Sequence, residues 1–274
     1  VTAAAENTVR VAVLGAAGRM GTTIVRLLAE TPGARLTAAV EHAGSPLVGR
    51  DAGSVAGAAA AAVSIGEALP GAGDADVWID FSSPAETAAT ATSAAERGAA
   101  LVVGTTGVDA PGREALAAAA RRVPVVFAPN MSVGVNVLLR VVAEAARLLG
   151  PGYDLEIVET HHRSKRDAPS GTALRLAEAL AEATGRDLGR DARYARQGDV
   201  GPRPAREIGV QTLRGGDVVG DHTVMFLGLG ERIEITHRAS SRETFARGAI
   251  RAALWTAGRA PGLYDMRDVL DLPR

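Results

Sequence analysis

Short runs of β-branched and apolar residues alternate with helical patterns through the first half of this chain. Val9-Arg10-Val11-Ala12-Val13-Leu14 has the length and composition of a buried strand. Behind it, Ile24, Val25, Leu27 and Leu28 fall at helical spacing, and the pattern stops near Thr31-Pro32-Gly33. Leu36 to Val40 reads as a second strand, Asp76 to Phe81 as a third, Ala100 to Val103 as a fourth and Val123 to Phe127 as a fifth. Helices are predicted over Thr87 to Arg97, opened by Ser82-Ser83-Pro84, and over about Pro111 to Arg121. The Ala/Gly-rich stretch from Asp51 to Val63 shows no period and reads as loop. Strand and helix in alternation with short turns predict an α/β domain with a doubly wound parallel sheet.

The second half has another texture. Val135 to Leu149 is an apolar-periodic helix that ends at Gly150-Pro151-Gly152. Asp154 to Glu159 alternates as a strand with one wet face does, and Thr172 to Thr184 is again helical. Strands are predicted at 210–213, 218–220, 223–226 and 232–236, with Gly215-Gly216 and Asp221-His222 at turns. Ser240-Ser241-Arg242-Glu243 resembles a capping box that starts the last long helix, reaching Ala257. The expected layout is an α/β domain of residues 1–132 and 242–274, with a mixed-sheet α+β domain of residues 133–241 inserted into it.

Composition narrows the function classes. A formal net charge of −1 with both signs interspersed argues against a nucleic-acid surface or a membrane-bound polybasic patch. No apolar run approaches transmembrane length, and the polar start Val1 to Arg10 is not expected to be a signal peptide. The absence of cysteine excludes disulfides, thiol nucleophiles and thiolate metal sites, and fits a cytoplasmic location.

Two places carry chemistry. The first is the turn Gly15-Ala16-Ala17-Gly18-Arg19-Met20-Gly21 between a strand and a helix, with Glu41 closing the second strand. Glycines there let backbone amides approach a pyrophosphate, the helix N-terminus favours its charge, and an acid some twenty residues on accepts bonds from a ribose. Ser82, Thr105, Thr106 and Asn130 stand at the carboxyl ends of the other predicted strands, where ligands of such sheets bind. The second place holds the only lysine among thirty basic residues, Lys165, in the run from Glu159 to Thr172 together with His161 and His162. An ammonium is a compact charge that can release its proton, which a guanidinium effectively cannot. Ser170-Gly171-Thr172 opens a helix, so amides and hydroxyls face whatever lies in front: a cradle for a carboxylate, with Lys165 as its cation. One histidine of the pair can donate a proton while the other contacts substrate. Two adjacent histidines of an extended chain point to opposite faces, and HExxH is absent, so no metal site is expected. His42, His222 and His237 stand alone in the sequence and read as structural.

GAAGRMG (15–21), GTTG (104–107), APNMSVGVN (128–136), ETHHRSKRDAPSGTAL (159–174), GDVVGDHT (216–223) and ITHRASSRETFARGA (235–249) resemble, in order and over nearly the whole chain, the 4-hydroxy-tetrahydrodipicolinate reductase family, formerly dihydrodipicolinate reductase. The resemblance implies a Rossmann-type N-terminal domain, a mixed-sheet domain that also builds a homotetramer, and hydride transfer from NADH or NADPH to a small cyclic dicarboxylate in the diaminopimelate route to lysine. It implies cofactor contacts from Gly15, Ala16, Ala17, Gly18, Arg19 and Met20, from Glu41, from Gly104, Thr105 and Thr106, and from Ala128, Pro129, Asn130 and Met131. It makes His161 the main proton donor and Lys165 a second donor and charge anchor, with His162, Gly171 and Thr172 on the substrate carboxylates; Ser170 joins them from the cradle reading.

Two positions depart from the best-known members of that family, which carry arginine directly after the Glu41 equivalent and again in the turn after the third strand. This chain has His42 and Ser83 there, which removes two cations from the surroundings of an NADPH 2′-phosphate while Arg19 remains. A short-chain dehydrogenase is a competing reading, but its Tyr-x-x-x-Lys helix is missing, since His161 stands four residues before Lys165. A nucleotide-sensing module would need the glycine turn without the His/Lys cradle.

Overall fold

The computed structural model describes residues 8–273. The expectation for the polar opening stretch lies almost wholly outside them. The chain divides into two compact units, one formed by residues up to Val133 together with those from Arg242 on, the other by Gly134–Ser241.

The first unit is a parallel sheet with helices on both faces. Its strands are β1 (Val9–Leu14), β2 (Ala34–Val40), β3 (Ile65–Gly66), β4 (Val77–Asp80), β5 (Ala100–Val103), β6 (Pro124–Phe127) and, far along the chain, β12 (Gly262–Tyr264). They lie in the order β3-β2-β1-β4-β5-β6-β12. Residues alternate between two cores. Val11, Val13, Ile79, Val102 and Val126 face α1 (Arg19–Leu28) and α8 (Glu243–Thr256), whereas Ala12, Leu14, Trp78, Leu101 and Val125 face α3 (Thr87–Arg97) and α4 (Ala110–Ala119). Burial on both sides is why the central stretches Val11–Leu14, Val77–Ile79 and Ala100–Val103 are apolar. The chain runs outward from β1 to β3, then returns to place β4 on the other side of β1, so the winding reverses between β1 and β4.

Caps set the helix starts. Ser83 accepts from Ala85 N–H ahead of a single 3₁₀ turn with Pro84 in its first turn, and Asp109 accepts from Gly112 N–H at the head of α4. Three local expectations are corrected. The stretch read as loop contains α2 (Ala52–Val55), because the Asp51 carboxylate accepts from Ser54 and Ala61 N–H and supplies the cap that the Ala/Gly pattern hides. Helix α8 starts without a capping box: Arg242 makes no side-chain cap, and Glu243 instead pairs with Arg26 at 2.7 Å while favouring the helix dipole. The strand β12 and the short helix α9 (Met266–Val269) behind it were not foreseen.

The second unit packs α5 (Val133–Leu149) and α6 (Gly171–Thr184) on one face of a mixed sheet. Its strands are β7 (Asp154–His161), β8 (Ala192–Arg193), β9 (Ile208–Arg214), β10 (Gly220–Leu227) and β11 (Arg232–Ala239), in the order β11-β10-β7-β9-β8, and a short helix α7 (Leu188–Asp191) precedes β8. Here too the structure revises the reading. Val218 and Val219 are not strand, and Asp221-His222 is not a turn, because pairing with β7 on one side and β11 on the other draws both residues into β10. The strand β7 also continues through Thr160 and His161, so His161 is a strand residue with a fixed direction rather than part of the loop.

Period two then decides which side chains share a face. On the helix-covered side of this sheet, Leu155 and Ile157 of β7 lie beside Ile208 and Val210 of β9 and Phe226 and Val224 of β10, all buried. Replacing Phe226, fully buried, with alanine is expected to lower unfolding free energy by about 3–5 kcal/mol. Leu229→Ala, at a fully exposed position, is expected to change it by less than about 0.5 kcal/mol. Urea unfolding monitored by circular dichroism checks both, and a small effect at Phe226 would mean that this layer is not the core of the unit.

Candidate functional site

The carboxyl ends of β1, β4, β5 and β6 surround a cavity of about 540 Å³ at the point where the winding reverses. Its walls include Arg19 and Met20 from the start of α1, Ser82 after β4, Thr105 after β5 and Asn130 after β6. Bonds from Gly15 and Ala16 N–H to the Val40 carbonyl, at 2.9 and 3.0 Å, pin the glycine turn to the end of β2. Glu41 braces it further: one carboxylate oxygen accepts from Ala17 N–H at 3.0 Å and the other from His42 N–H at 3.1 Å. A Cβ at Gly21 would collide with the Gly15 carbonyl oxygen, so the helix approaches the turn as closely as only glycine permits. Helix α1 begins without a side-chain cap and without an acid in its first turn. Such an end, opening on a cavity at the reversal point, fits the phosphates of a dinucleotide.

Asp80 shapes the middle of this edge. It is fully buried at the end of β4, and one of its oxygens accepts from Ser82 N–H at 2.8 Å and Ser82 Oγ–H at 2.6 Å. Burial pushes its carboxyl above the ordinary range, against the pull of those bonds. The Thr105 hydroxyl donates to the Asp80 carbonyl, which ties the end of β5 to that of β4.

Of the residues expected to hold a cofactor, Arg19, Met20, Gly104, Thr105, Thr106, Pro129, Asn130 and Met131 all line the cavity. Gly15 to Gly18 form the turn before Arg19, while Ala16 and Ala128 are buried and do not line it. Phe81 and Phe245 also line it and were missed. The position of Phe81, directly beyond the strand at the reversal, was a signal that could have found it; nothing in the sequence points to Phe245.

In the second unit the helix-covered face of the sheet turns polar at one end. Beyond the apolar layer comes a row of Thr212 (β9), Glu159 (β7), His222 (β10) and His237 (β11), and beyond that a row of Arg214, His161, Gly220 and Ala239. Glu159 is completely buried and accepts five hydrogen bonds from four residues. Its Oε2 takes His161 Nδ1–H at 2.6 Å and Arg214 Nη1–H at 2.8 Å. Its Oε1 takes Ser170 N–H at 3.0 Å, Arg214 Nη2–H at 3.0 Å and Thr212 Oγ1–H at 3.2 Å. Burial alone would raise this carboxyl, but Arg214, His161 and the Ser170 amide hold it below its ordinary value, so it is ionised. His161 is shifted down: burial dominates, Glu159 opposes it, and Lys165 and Arg214 add to the depression.

The residues of the expected cradle lie as follows. Ser170 is buried and caps α6, its Oγ accepting from Ala173 N–H at 3.2 Å and bonding His222 Nε2 at 3.0 Å. Its amide is bound to Glu159, so in this structure Ser170 faces the interior. Gly171 and Thr172 form the first turn of α6, ahead of the first helical bond from Leu174 N–H to the Ser170 carbonyl. Lys165 lies with both Asp167 oxygens at 2.9 and 2.8 Å. His162 follows β7, with its N–H on the Val218 carbonyl at 2.7 Å. His222, expected to stand alone, touches Ser170 and meets the His161 ring edge-on at 5.1 Å between centroids. Burial pushes it down to about 4, which keeps it neutral. Glu159, Thr212 and Arg214 were missed; Glu159 was detectable as the residue two before His161 on one strand, whereas the other two depend on strand register.

Among the described residues no helix is long and apolar enough to cross a membrane, and no three His, Asp or Glu side chains are grouped to hold a metal ion.

Comparison with known proteins places these features. The model of the dihydrodipicolinate reductase N-terminus matches residues 9–131, and that of the dihydrodipicolinate reductase C-terminus matches residues 134–270. The chain is 57% identical over 267 residues to the 4-hydroxy-tetrahydrodipicolinate reductase of Anaeromyxobacter dehalogenans (strain 2CP-C), covering 96% of this chain and 98% of that one. It is 55% identical to the enzyme of the same name from Thiobacillus denitrificans, covering 96% and 99%. A solved structure of dipicolinate-bound dihydrodipicolinate reductase from Paenisporosarcina sp. TG-14 shares the fold with a TM-score of 0.73 at 22% identity, covering 94% of this chain and 97% of that one.

Proposed function

This chain belongs to the dihydrodipicolinate reductase family, and on that premise we propose how its residues divide the reaction. The activity is reduction of 4-hydroxy-tetrahydrodipicolinate to tetrahydrodipicolinate with loss of water, a step of lysine biosynthesis through diaminopimelate. In the reading offered here, NADH or NADPH occupies the cavity at the strand reversal, and the reduced nicotinamide supplies a hydride. The start of α1 and the Gly15–Met20 turn receive the pyrophosphate, Glu41 the adenosine ribose, and Gly104 to Thr106 and Ala128 to Met131 the rest of the cofactor. His161 donates a proton to the substrate as hydride arrives. His162 and the first turn of α6, at Gly171 and Thr172, hold its carboxylates, and Lys165 is a second donor and charge anchor. The observation that carries this reading is the meeting of the His161 ring and the head of α6 on one ionised carboxylate, whose Arg214 partner reaches the lysine loop at the Asp167 carbonyl. The free face of the mixed sheet, which carries Val158, Met225 and the exposed Leu213 opposite the unit's core, supports assembly as a homotetramer.

His161→Ala is expected to lower turnover by about 10²–10⁴-fold, the usual loss for a general acid, and to leave cofactor affinity within about threefold. A coupled assay that uses product freshly made by dihydrodipicolinate synthase, with NADH oxidation followed, measures it. Turnover within threefold of wild type would remove His161 from the mechanism.

Protonation gives a second check. Burial depresses His161 in the free protein, whereas an adjacent dianion favours its charged form. Binding of pyridine-2,6-dicarboxylate should therefore raise the pKa of His161 and take up protons at a pH between the free and bound values. Calorimetry in buffers of different ionisation enthalpy reads this directly, and His161→Gln should lose the uptake. Release of protons in wild type would contradict the assignment.

Cofactor preference follows from charge. Glu41 sits beside the turn where a ribose would lie, and its charge repels a 2′-phosphate. Exposed His42 stands where a guanidinium would offset that repulsion, and the Ser83 hydroxyl is engaged as a cap. NADH is expected to serve at least as well as NADPH. His42→Arg combined with Ser83→Arg should shift the ratio of kcat/KM toward NADPH, less so at high salt. A tenfold preference of the wild type for NADPH would overturn this and point to Arg19 as the phosphate partner.

A further inference from the structure

Glu159 has no part in the assignments above, yet it is the point where they meet. Its carboxylate lies between a guanidinium and an imidazole, and the same guanidinium reaches on through Nη2 to the Asp167 carbonyl at 2.6 Å. Asp167 in turn holds Lys165. The Ser170 amide on Oε1 fixes the head of α6 to the same group. One buried ion pair thus ties together the strand that carries His161, the helix start at Gly171 and the loop that carries Lys165.

The two carboxylate oxygens differ in their partners, and the difference has a consequence for His161. An ionised carboxylate can only accept, so the bond at Oε2 requires a proton on His161 Nδ1. The other ring nitrogen, Nε2, is then the atom that gains and loses a proton. Strand β10 leaves space on that side: Gly220 stands just beyond the Asp221–Thr160 pair, and a Cβ there would stand 2.9 Å from Nε2. We propose that Glu159, clamped by Arg214, is the positioning residue of this reductase, holding His161 with Nδ1–H inward and Nε2 as the proton-carrying atom. The proposal rests on the reading of His161 as proton donor. During donation the Nε2–H bond breaks, its electron pair stays on nitrogen, and the proton forms the new bond on the substrate. The ring is left neutral with its proton on Nδ1, the form that Glu159 stabilises, so no ring rotation is needed.

Other groups around the ring do not supply this hold. Arg214 from β9 and Lys165 from the loop are cations that disfavour the imidazolium; Asp167 is engaged with Lys165. His222 on β10 stays neutral, burial shifts His237 on β11 downward as well, and neither bonds the His161 ring nitrogens. Glu159 is therefore the anion that both directs and charges the imidazole.

Glu159→Gln tests the proposal in the full chain. At Oε1 three donors converge, from Ser170, Thr212 and Arg214, so the amide oxygen of glutamine belongs there and its NH₂ faces His161 Nδ1. The expected result is inversion of the His161 tautomer, from Nδ1–H to Nε2–H, read by ¹⁵N-resolved imidazole NMR with His161→Gln used for assignment. Turnover should fall about tenfold or more, with KM for the dicarboxylate within about threefold because the Ser170 bond survives. The limb of kcat/KM that descends as pH rises through the proton donor's pKa should move to lower pH, since the charge that favoured imidazolium is gone. A merely structural role would scale activity at every pH and leave the tautomer unchanged. Should Glu159→Gln fail to fold for want of a partner to Arg214, Glu159→Gln with Arg214→Met removes both buried charges and is read by the same tautomer and pH profile. An unchanged tautomer, or turnover within threefold of wild type in a background where His161→Gln is inactive, overturns the proposal and leaves the proton-donor reading standing. An active His161→Gln overturns that reading itself.

Discussion

A carboxylate without any exposure to water is among the costliest groups a small sheet can enclose. The desolvation penalty is several kcal/mol per ion even after relaxation. Glu159 offsets it with a bidentate guanidinium, an imidazole N–H, a main-chain N–H and a hydroxyl. Hydrogen bonds to a charged group contribute about 1.5–3 kcal/mol each, so a set of this size can offset the penalty, and loss of any member leaves the charge under-compensated. That makes the arrangement demanding of its neighbours. Arg214 must lie opposite His161 and Thr212 opposite Glu159, which fixes the register of β9 against β7. The helix α6 must start at the height where the Ser170 amide meets Oε1. The apolar layer below, built from Ile157, Val210 and Val224, holds the strands to that register, because a one-residue slip would turn it outward.

The first unit solves its recognition problem with neutral backbone. Its cavity is edged by strand ends and the start of a helix, where unpaired amides and an aligned dipole supply partial positive charge without the desolvation cost of a buried cation. The one ionisable side chain buried at that edge, Asp80, serves the turn through Ser82, and burial shifts it toward its neutral form. Glu41 lies nearby, its two oxygens accepting from the Ala17 and His42 amides. One unit therefore presents backbone dipoles at its cavity, and the other gathers full charges around a buried carboxylate.

How far this could be read from sequence depends on the range of the determining contacts. The parallel strands were legible because strands buried on both faces must be continuously apolar, as in Val11 to Leu14 and Leu101 to Val103. The pieces β3 and β12 have two and three residues, too short for any pattern, and exist because a neighbouring edge accepts them. His222 was read as a turn residue because Asp-His beside Gly220 looks like one; pairing on two sides overrode that local preference. In the lysine run, residue types alone marked His161, Lys165 and the Ser170 start of α6. Glu159 needed only the rule of two, but Thr212 and Arg214 are more than fifty residues away in sequence, and only strand register brings them to it. Ser170 adds contacts of its own that sequence does not show: its Oγ caps α6 and meets His222.

The bias toward arginine and the single lysine follow from the same physics. Arg203 uses its planar fork to bond Asp154, Glu156 and the carbonyls of Leu155 and Glu207, and Arg214 binds both oxygens of Glu159 together with the Asp167 carbonyl. Lysine could satisfy neither set, because a point charge has no fork. Lys165 is the converse case. It is mostly buried at 20% exposure, yet its partner Asp167 is 62% exposed, and their contact is a local pair two residues apart. An ion pair with one wet partner contributes only about 0–1 kcal/mol, so it can be exchanged for another carboxylate at little cost. A bidentate guanidinium would resist that exchange through its geometry. The Arg214 bond meanwhile holds the main chain at Asp167 in place, so the ammonium can change partners without releasing the loop. A fixed backbone with an exchangeable cation separates the roles of the two basic residue types: Arg214 holds the main chain, and Lys165 keeps a local partner.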